Sequence, residues 1–236
     1  MIIQNRFLGL IFTIIFTTCY AQKSVNQYDK NGDRHGIWTK DYEGTDQKRY
    51  EGQFNHGKEI GTFNYYKLKN GKSVLSATKV FNEANDIADV VFYTSAKKIV
   101  SKGQMNQKKF IGKWIYYHKN SDKAMIEEHY NSQGELDGVK TVYYENGHVA
   151  EETLYKNGKL SGKAKWYTKA KQYVRTTEYL NDKRNGLTIN YDGKGNKVSE
   201  GTYKDDKKIG MWKYYKEGSL AKEIDHTNQK VIFKKD

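Results

Sequence analysis

Six histidines, His35, His56, His118, His129, His148 and His226, are the first side chains to weigh for metal chemistry. A zinc site needs several ligands to converge, and no His-x-His or His-x-x-x-His spacing joins any two of these. Carboxylates come next, because exported hydrolases often work through a pair of them. Glu127, Glu152, Glu200 and Glu223 stand three residues before Tyr130, Tyr155, Tyr203 and His226 in turn. A catalytic pair is a single constellation, whereas a residue that returns at a fixed offset belongs to a repeated framework or a solvated face. The chain also has no Gly-x-Ser-x-Gly elbow, phosphate-binding glycine loop or dinucleotide fingerprint. The expectation is a non-enzymatic protein with no catalytic residues, no metal site and no cofactor. What remains is cationic. Lys58, Lys109, Lys159, Lys183 and Lys207 each lie three residues before a glycine, with Lys108, Arg184 and Lys208 beside them. Aligned cations of this kind could hold an anionic polymer or a headgroup layer, although Asp33 and Glu135 take the same offset elsewhere.

Those glycines open a repeated segment. Its clearest form is Gly-x-Trp-x-Tyr-Tyr, at Gly112-Lys-Trp114-Ile-Tyr116-Tyr117 and Gly210-Met-Trp212-Lys-Tyr214-Tyr215. Gly61 to Tyr66, Gly162 to Trp166-Tyr167 and Gly186 to Tyr191 share the frame, and Gly36-Ile-Trp38 and Gly138 to Tyr144 are looser copies. An eroded copy runs from Ile87 to Phe92-Tyr93, with Ile in place of the glycine. Anchors at 36, 61, 87, 112, 138, 162, 186 and 210 recur every 24 to 26 residues, which marks about eight tandem units. Trp38, Trp114, Trp166 and Trp212 read as core positions of those units. Asn146-Gly147 and Asn157-Gly158 are strong hairpin signals, since both residue types accept the positive φ of a type I′ turn. Each unit therefore reads as one hairpin, and a lone hairpin is marginal in water unless neighbours cover its aromatic face. The predicted fold class is all-β, an elongated antiparallel β-hairpin repeat array; eight units at two strands each would span roughly 75 Å. Within it, 72–108 is the irregular unit and 225–236 a terminal cap.

The Gly-x-Trp-x-Tyr-Tyr and Tyr-x-Asn-Gly-x-x-x-Gly segments resemble the bacterial variant of the MORN repeat, the YwqK-like or antitoxin-like repeat family, over about Asp33 to Ile224. The resemblance implies a MORN-like scaffold used for binding or tethering, and it brings no shared catalytic residues. The antitoxin association fits poorly with an exported chain.

Export is what the N-terminus suggests. Arg6 precedes the apolar run Phe7–Phe16, and Ala21 offers a small residue at a cleavage point, so 1–21 reads as a signal peptide and 22–236 as the repeat domain. The run is short of the roughly 20 residues that span a bilayer, so no transmembrane segment is expected after cleavage. Cys19, the only cysteine, admits a lipoprotein reading, but Thr18 before it suits that route poorly. The 236 residues hold 41 Lys and Arg against 28 Asp and Glu, a net charge of +13. Twenty tyrosines and an aromatic share of 14% separate the chain from disordered ones, which are poor in aromatics. The basic excess favours anionic partners, and for an exported chain nucleic acid is an unlikely one. The leading expectation is a scaffold of the cell envelope, in the periplasm, at the outer membrane or outside the cell, that binds a protein or an anionic lipid headgroup or glycan. The alternative is an envelope carbohydrate-active enzyme with a site in the irregular region 71–109. A mature N-terminus at Gln22, read by intact mass of the exported protein, is the expected outcome; a diacylated Cys19 would contradict it.

Overall fold

The computed structural model describes residues 24–235, so the expected signal peptide, Cys19 and the Ala21–Gln22 junction lie outside the described residues. Those residues form one sheet of 19 strands, with no helix among them. Ladders between strands are antiparallel and run in chain order, from Gln27–Tyr28 on Arg34–Asp41 at one end to Ser219–Asp225 on Lys230–Lys234 at the other. The sheet is thus an open, elongated hairpin array, as the 24-residue period and the turn glycines require.

The anchor glycines have one structural job. Gly36, Gly61, Gly112, Gly138, Gly162 and Gly186 pair with Phe54, Phe81, Tyr130, Tyr155, Tyr179 and Tyr203 on the next strand. Gly210 follows suit, its carbonyl accepting from the His226 amide at 2.9 Å. At Gly61 φ is +62°, which a residue with a Cβ adopts only at a cost. That left-handed turn of the backbone makes Lys58–Lys69 bulge against the preceding strand, Lys48–Asn55. Glu51 pairs with Asn64 and Gln53 with Ile60, so four steps on one strand face two on the other. The bulge lays the Phe63 ring over Gly52, where a Cβ would stand 2.4 Å from a ring atom. Trp114 lies over Gly103 and Trp212 over Gly201 in the same way, with would-be contacts of 2.5 and 2.2 Å. Each indole N–H then reaches a carbonyl of the covered strand, Trp114 Nε1 to Gln104 at 2.9 Å and Trp212 Nε1 to Thr202 at 3.2 Å.

Two positions in the sequence frame need correction. In the eroded unit the anchor place belongs to Ala88, which faces Met105, while Ile87 faces Asn106. Alanine does not take the left-handed conformation cheaply, and the bulge is gone: Ile87–Tyr93 pairs residue for residue with Lys72–Phe81. Val90 fills the place of the tryptophan, fully buried, so the segment 72–108 is irregular in sequence but continuous in the sheet. At Asn146-Gly147 only Gly147 has positive φ, and its amide donates to the Tyr144 carbonyl at 2.8 Å, a type I turn closed by a left-handed glycine. Asn157-Gly158, with φ of +48° and +77°, is the type I′ turn expected of both.

The core is a row of aromatic packets on one face. Trp38, Phe54 and Phe63 form one, Ala88, Val90, Met105 and Trp114 the next, and Phe81 touches both. Toward the C-terminus Trp212 packs edge-on against Tyr203 at 5.1 Å between ring centres. Between these lies a stretch where the place two residues after the anchor is held by Lys140, Ala164 and Thr188. The residue beneath changes in step. Glycine underlies Phe63, Trp114 and Trp212; Thr153 accompanies Ala164; Thr177 bonds Thr188 through their hydroxyls at 3.2 Å; Glu128 meets Lys140 at 3.1 Å. Size or charge is matched across each unit boundary.

That matching makes a stability prediction. Trp114→Ala and Trp212→Ala should each cost about 3–5 kcal/mol, the usual loss for emptying a packed aromatic site. Gly201→Thr should also be costly. The double variant Gly201→Thr with Trp212→Ala copies the Thr153–Ala164 pair and should exceed the sum of the singles in stability by more than about 1 kcal/mol. Denaturant melts of the four proteins measure this, and strict additivity would contradict it.

Candidate binding face

The aromatic face carries one unbroken register row across the sheet. Four residues after each anchor stand Lys40, Tyr65, Phe92, Tyr116, Val142, Trp166, Asn190 and Tyr214. The return strands place one residue between each pair: Tyr50 and Ile126 are large, Glu151 and Arg175 are charged, and Ala77, Ser101 and Ser199 are small. The three small residues are buried.

At the centre of the row Glu151 and Arg175 flank Trp166 in direct register, a carboxylate on one side and a guanidinium on the other. Trp166 was grouped in the sequence with the core tryptophans; it stands instead in the tyrosine row, half-buried, because Ala164 holds the core place of its unit. The Trp166 indole N–H donates to Glu151 Oε2 at 3.0 Å, and the Arg175 guanidinium lies 4.0 Å from the centre of the Trp166 ring, a cation–π stack. Among the described residues two buried side-chain polar atoms have no hydrogen-bond partner, Arg175 Nε and Thr153 Oγ1. They sit on the two strands either side of Gly162–Tyr167. A hollow of about 530 Å³ opens here, lined by Trp166, Arg175, Glu151, Asn190 and the rings of Tyr144, Tyr167 and Tyr191.

The repeated glutamates lie in a second row, and three of them share one role. Glu51, Glu152 and Glu200 each accept the hydroxyl of the tyrosine 15 residues on, Tyr66 at 2.5 Å, Tyr167 at 2.8 Å and Tyr215 at 2.6 Å. Each also meets a lysine, Lys48, Lys165 and Lys197 respectively. Glu127 and Glu223 pair with Lys113 and Lys213 at 3.0 and 3.8 Å. Hydrogen bonds from Lys48 and then Tyr66 hold the Glu51 carboxyl below its ordinary value, and Lys197 and then Tyr215 do the same for Glu200. At Glu152 burial works in the opposite direction, and Lys165 and Tyr167 outweigh it. The tyrosines move up in return: burial and then Glu51 push Tyr66 to about 12, and the Glu200 bond and then burial push Tyr215 to about 12.

The five lysines of the sequence frame open their strands just after a turn. Lys58, Lys109, Lys159, Lys183 and Lys207 pair with Asn55, Asn106, Lys156, Leu180 and Lys204 across it. The turns are tied to the preceding unit, with the amides of Gly57, Gly158, Asp182 and Asp206 donating to the carbonyls of Arg34, Leu136, Leu160 and Arg184. Carboxylates are interleaved with the lysines. Asp182 accepts from the Leu160 amide at 2.8 Å, Asp206 bonds Arg184 Nε at 2.9 Å, and Asp205 stands 3.9 Å from Lys183. Lys58 bonds the Glu83 carbonyl at 2.9 Å and approaches Asp86 at 3.9 Å. The turn edge is therefore a mixed row with lysine in excess, weaker in field than its lysines alone suggest.

The structure brings the lysines onto one turn edge and the glutamates into one row. It adds Glu151, Arg175 and Asn190, which sequence reasoning missed because only the register places them beside Trp166. The chain matches no protein-family model and no curated protein.

The Glu–Tyr rungs set a pH dependence. A carboxyl lowered on folding contributes stability that is complete above its ordinary value near 4.5 and is lost as pH falls through the folded value. A phenol raised on folding contributes stability that is complete below 10 and is lost as pH rises toward 12. Thermal melts should show a plateau between these limits, and Tyr66→Phe with Tyr215→Phe should flatten the fall above pH 10. An unchanged alkaline slope in that variant would contradict the rungs.

Proposed function

We propose that the chain is an exported, non-enzymatic repeat scaffold of the cell envelope, of the kind the bacterial MORN-repeat resemblance implies, and that it binds an anionic surface or polymer. The observation that carries this reading is that the chemistry is serial. Glu51, Glu152 and Glu200 meet the same two partner types in three of the units, and Lys109, Lys159, Lys183 and Lys207 return to the same turn position. A ligand that is itself a chain or a layer of repeated charges can meet such a row at many points, each weak alone. Turns two strands apart lie about 10 Å from one another, close to the Debye length of roughly 8–10 Å at ordinary salt, so neighbouring lysines reinforce each other only at low ionic strength. The region 71–109, the place of the alternative enzymatic site, pairs as continuous sheet with its neighbours.

Sedimentation with anionic liposomes and acidic glycans tests the proposal. Wild type should bind at low salt and release as salt rises, and the variant with Lys109, Lys159, Lys183 and Lys207 all changed to Gln should bind the liposomes and long polyanionic glycans several-fold more weakly. Equal binding by the two proteins, or binding indifferent to salt, would remove the turn edge as a functional surface.

A further inference from the structure

We infer that the hollow around Trp166 is a binding site for an acidic sugar, with Arg175 taking the carboxylate of a hexuronate unit. The inference rests on the scaffold reading above and gives it a specific site. Three observations carry it. First, the arrangement does not recur along the row: Trp166 has a carboxylate, Glu151, on one side and a guanidinium, Arg175, on the other, which no other member of the row has, and three successive units lack the aromatic core residue, having Lys140, Ala164 and Thr188. Side chains that serve the stack recur; these do not. Second, Arg175 is incompletely satisfied. Its guanidinium stacks on Trp166, yet its buried Nε–H has no acceptor among the described residues. A buried donor left unpaired is costly, and a small shift of the Arg175 side chain toward the hollow lets a carboxylate accept from Nε–H together with a neighbouring Nη–H as a two-point fork. Third, the rest of the lining calls for hydroxyls and flat apolar faces. Glu151 accepts hydrogen bonds and Asn190 both donates and accepts, while Trp166, Tyr144, Tyr167 and Tyr191 supply ring surface.

That combination separates a sugar from an acidic peptide. The Glu151 carboxylate can only accept, and it already takes the Trp166 N–H on Oε2. A run of peptide carboxylates would bring it like charge and few donors, whereas a hexuronate brings ring hydroxyls to Glu151 and its single carboxylate to Arg175. The hollow of about 530 Å³ is of the size that holds a small ligand.

Titration calorimetry of the purified protein with tetragalacturonate, its tetramethyl ester and hexaglutamate tests this. Wild type should bind tetragalacturonate at least about tenfold more tightly than either control, because the ester keeps the sugar and removes the charge. Arg175→Gln should lose at least about tenfold for tetragalacturonate, and Arg175→Lys, which keeps the charge over Trp166 without the fork, should fall between the two. Near-ultraviolet circular dichroism confirms that both variants are folded, and Asn190→Ala gives a second reduction without touching the cation. The variant with four turn lysines changed to Gln should bind tetragalacturonate within about threefold of wild type, since those lysines lie outside the hollow. Full binding by folded Arg175→Gln, equal binding of hexaglutamate, or no binding of tetragalacturonate by wild type would each overturn the site. If tetragalacturonate binding survives Arg175→Gln but is lost with the lysines, the hollow falls while the scaffold reading stands; if no anionic liposome or glycan binds at all, the scaffold reading falls as well.

Discussion

A positive φ at a glycine is the constraint on which the rest of this molecule depends. At Gly61 and Gly112 the left-handed backbone opens a bulge toward the preceding unit, and the bulge lowers the residue two places on onto a strand that must make room for it. Gly52 and Gly103 make that room by having no side chain. The same step delivers Trp114 Nε1 to a backbone carbonyl, so a large ring is buried with its one polar atom satisfied. Chain connectivity alone would give a flat meander of hairpins. The bulge turns it into a stack in which each unit is held by its neighbour's backbone.

The unit between Lys72 and Asn106 shows the rule by exception. With Ala88 at the anchor there is no bulge, and the smaller Val90 reaches the core from a straight strand. The central units show a second accommodation. Where the ring is absent, Thr153 or Thr177 fills the space that a glycine leaves elsewhere, and Glu128 with Lys140 fills it with a half-shielded ion pair. The hollow beside these units is lined by Glu151, Arg175 and Asn190 and by the rings of Tyr144, Trp166, Tyr167 and Tyr191.

Much of this was legible in the chain. The all-β class, the antiparallel hairpins, the anchor glycines and the framework role of Glu152 and Glu200 follow from period and offset. The rest was hidden because it lives between units. Gly103 stands 11 residues before Trp114, as Gly52 does before Phe63 and Gly201 before Trp212, but that spacing has meaning only once a two-residue bulge fixes the register. Ala88 was passed over for Ile87 because counting from Gly61 cannot see where a bulge is missing. Trp166 looked like its fellow tryptophans by residue type, and only the pairing of Glu151, Trp166 and Arg175 across three strands shows that it belongs to a different row.

The central claim is that units stack on their neighbours in an open line and that the sheet does not close on itself. Small-angle X-ray scattering of the purified protein measures this directly. An open array of this many strands at about 4.8 Å spacing is roughly 80 Å long, which gives a radius of gyration of about 23 Å or more. A compact domain of the same chain length would have a radius of about 17 Å. A value near 23 Å, with a longest dimension near 80 Å, is the predicted result; a value near 17 Å would contradict the open array and the stacking rule built on it.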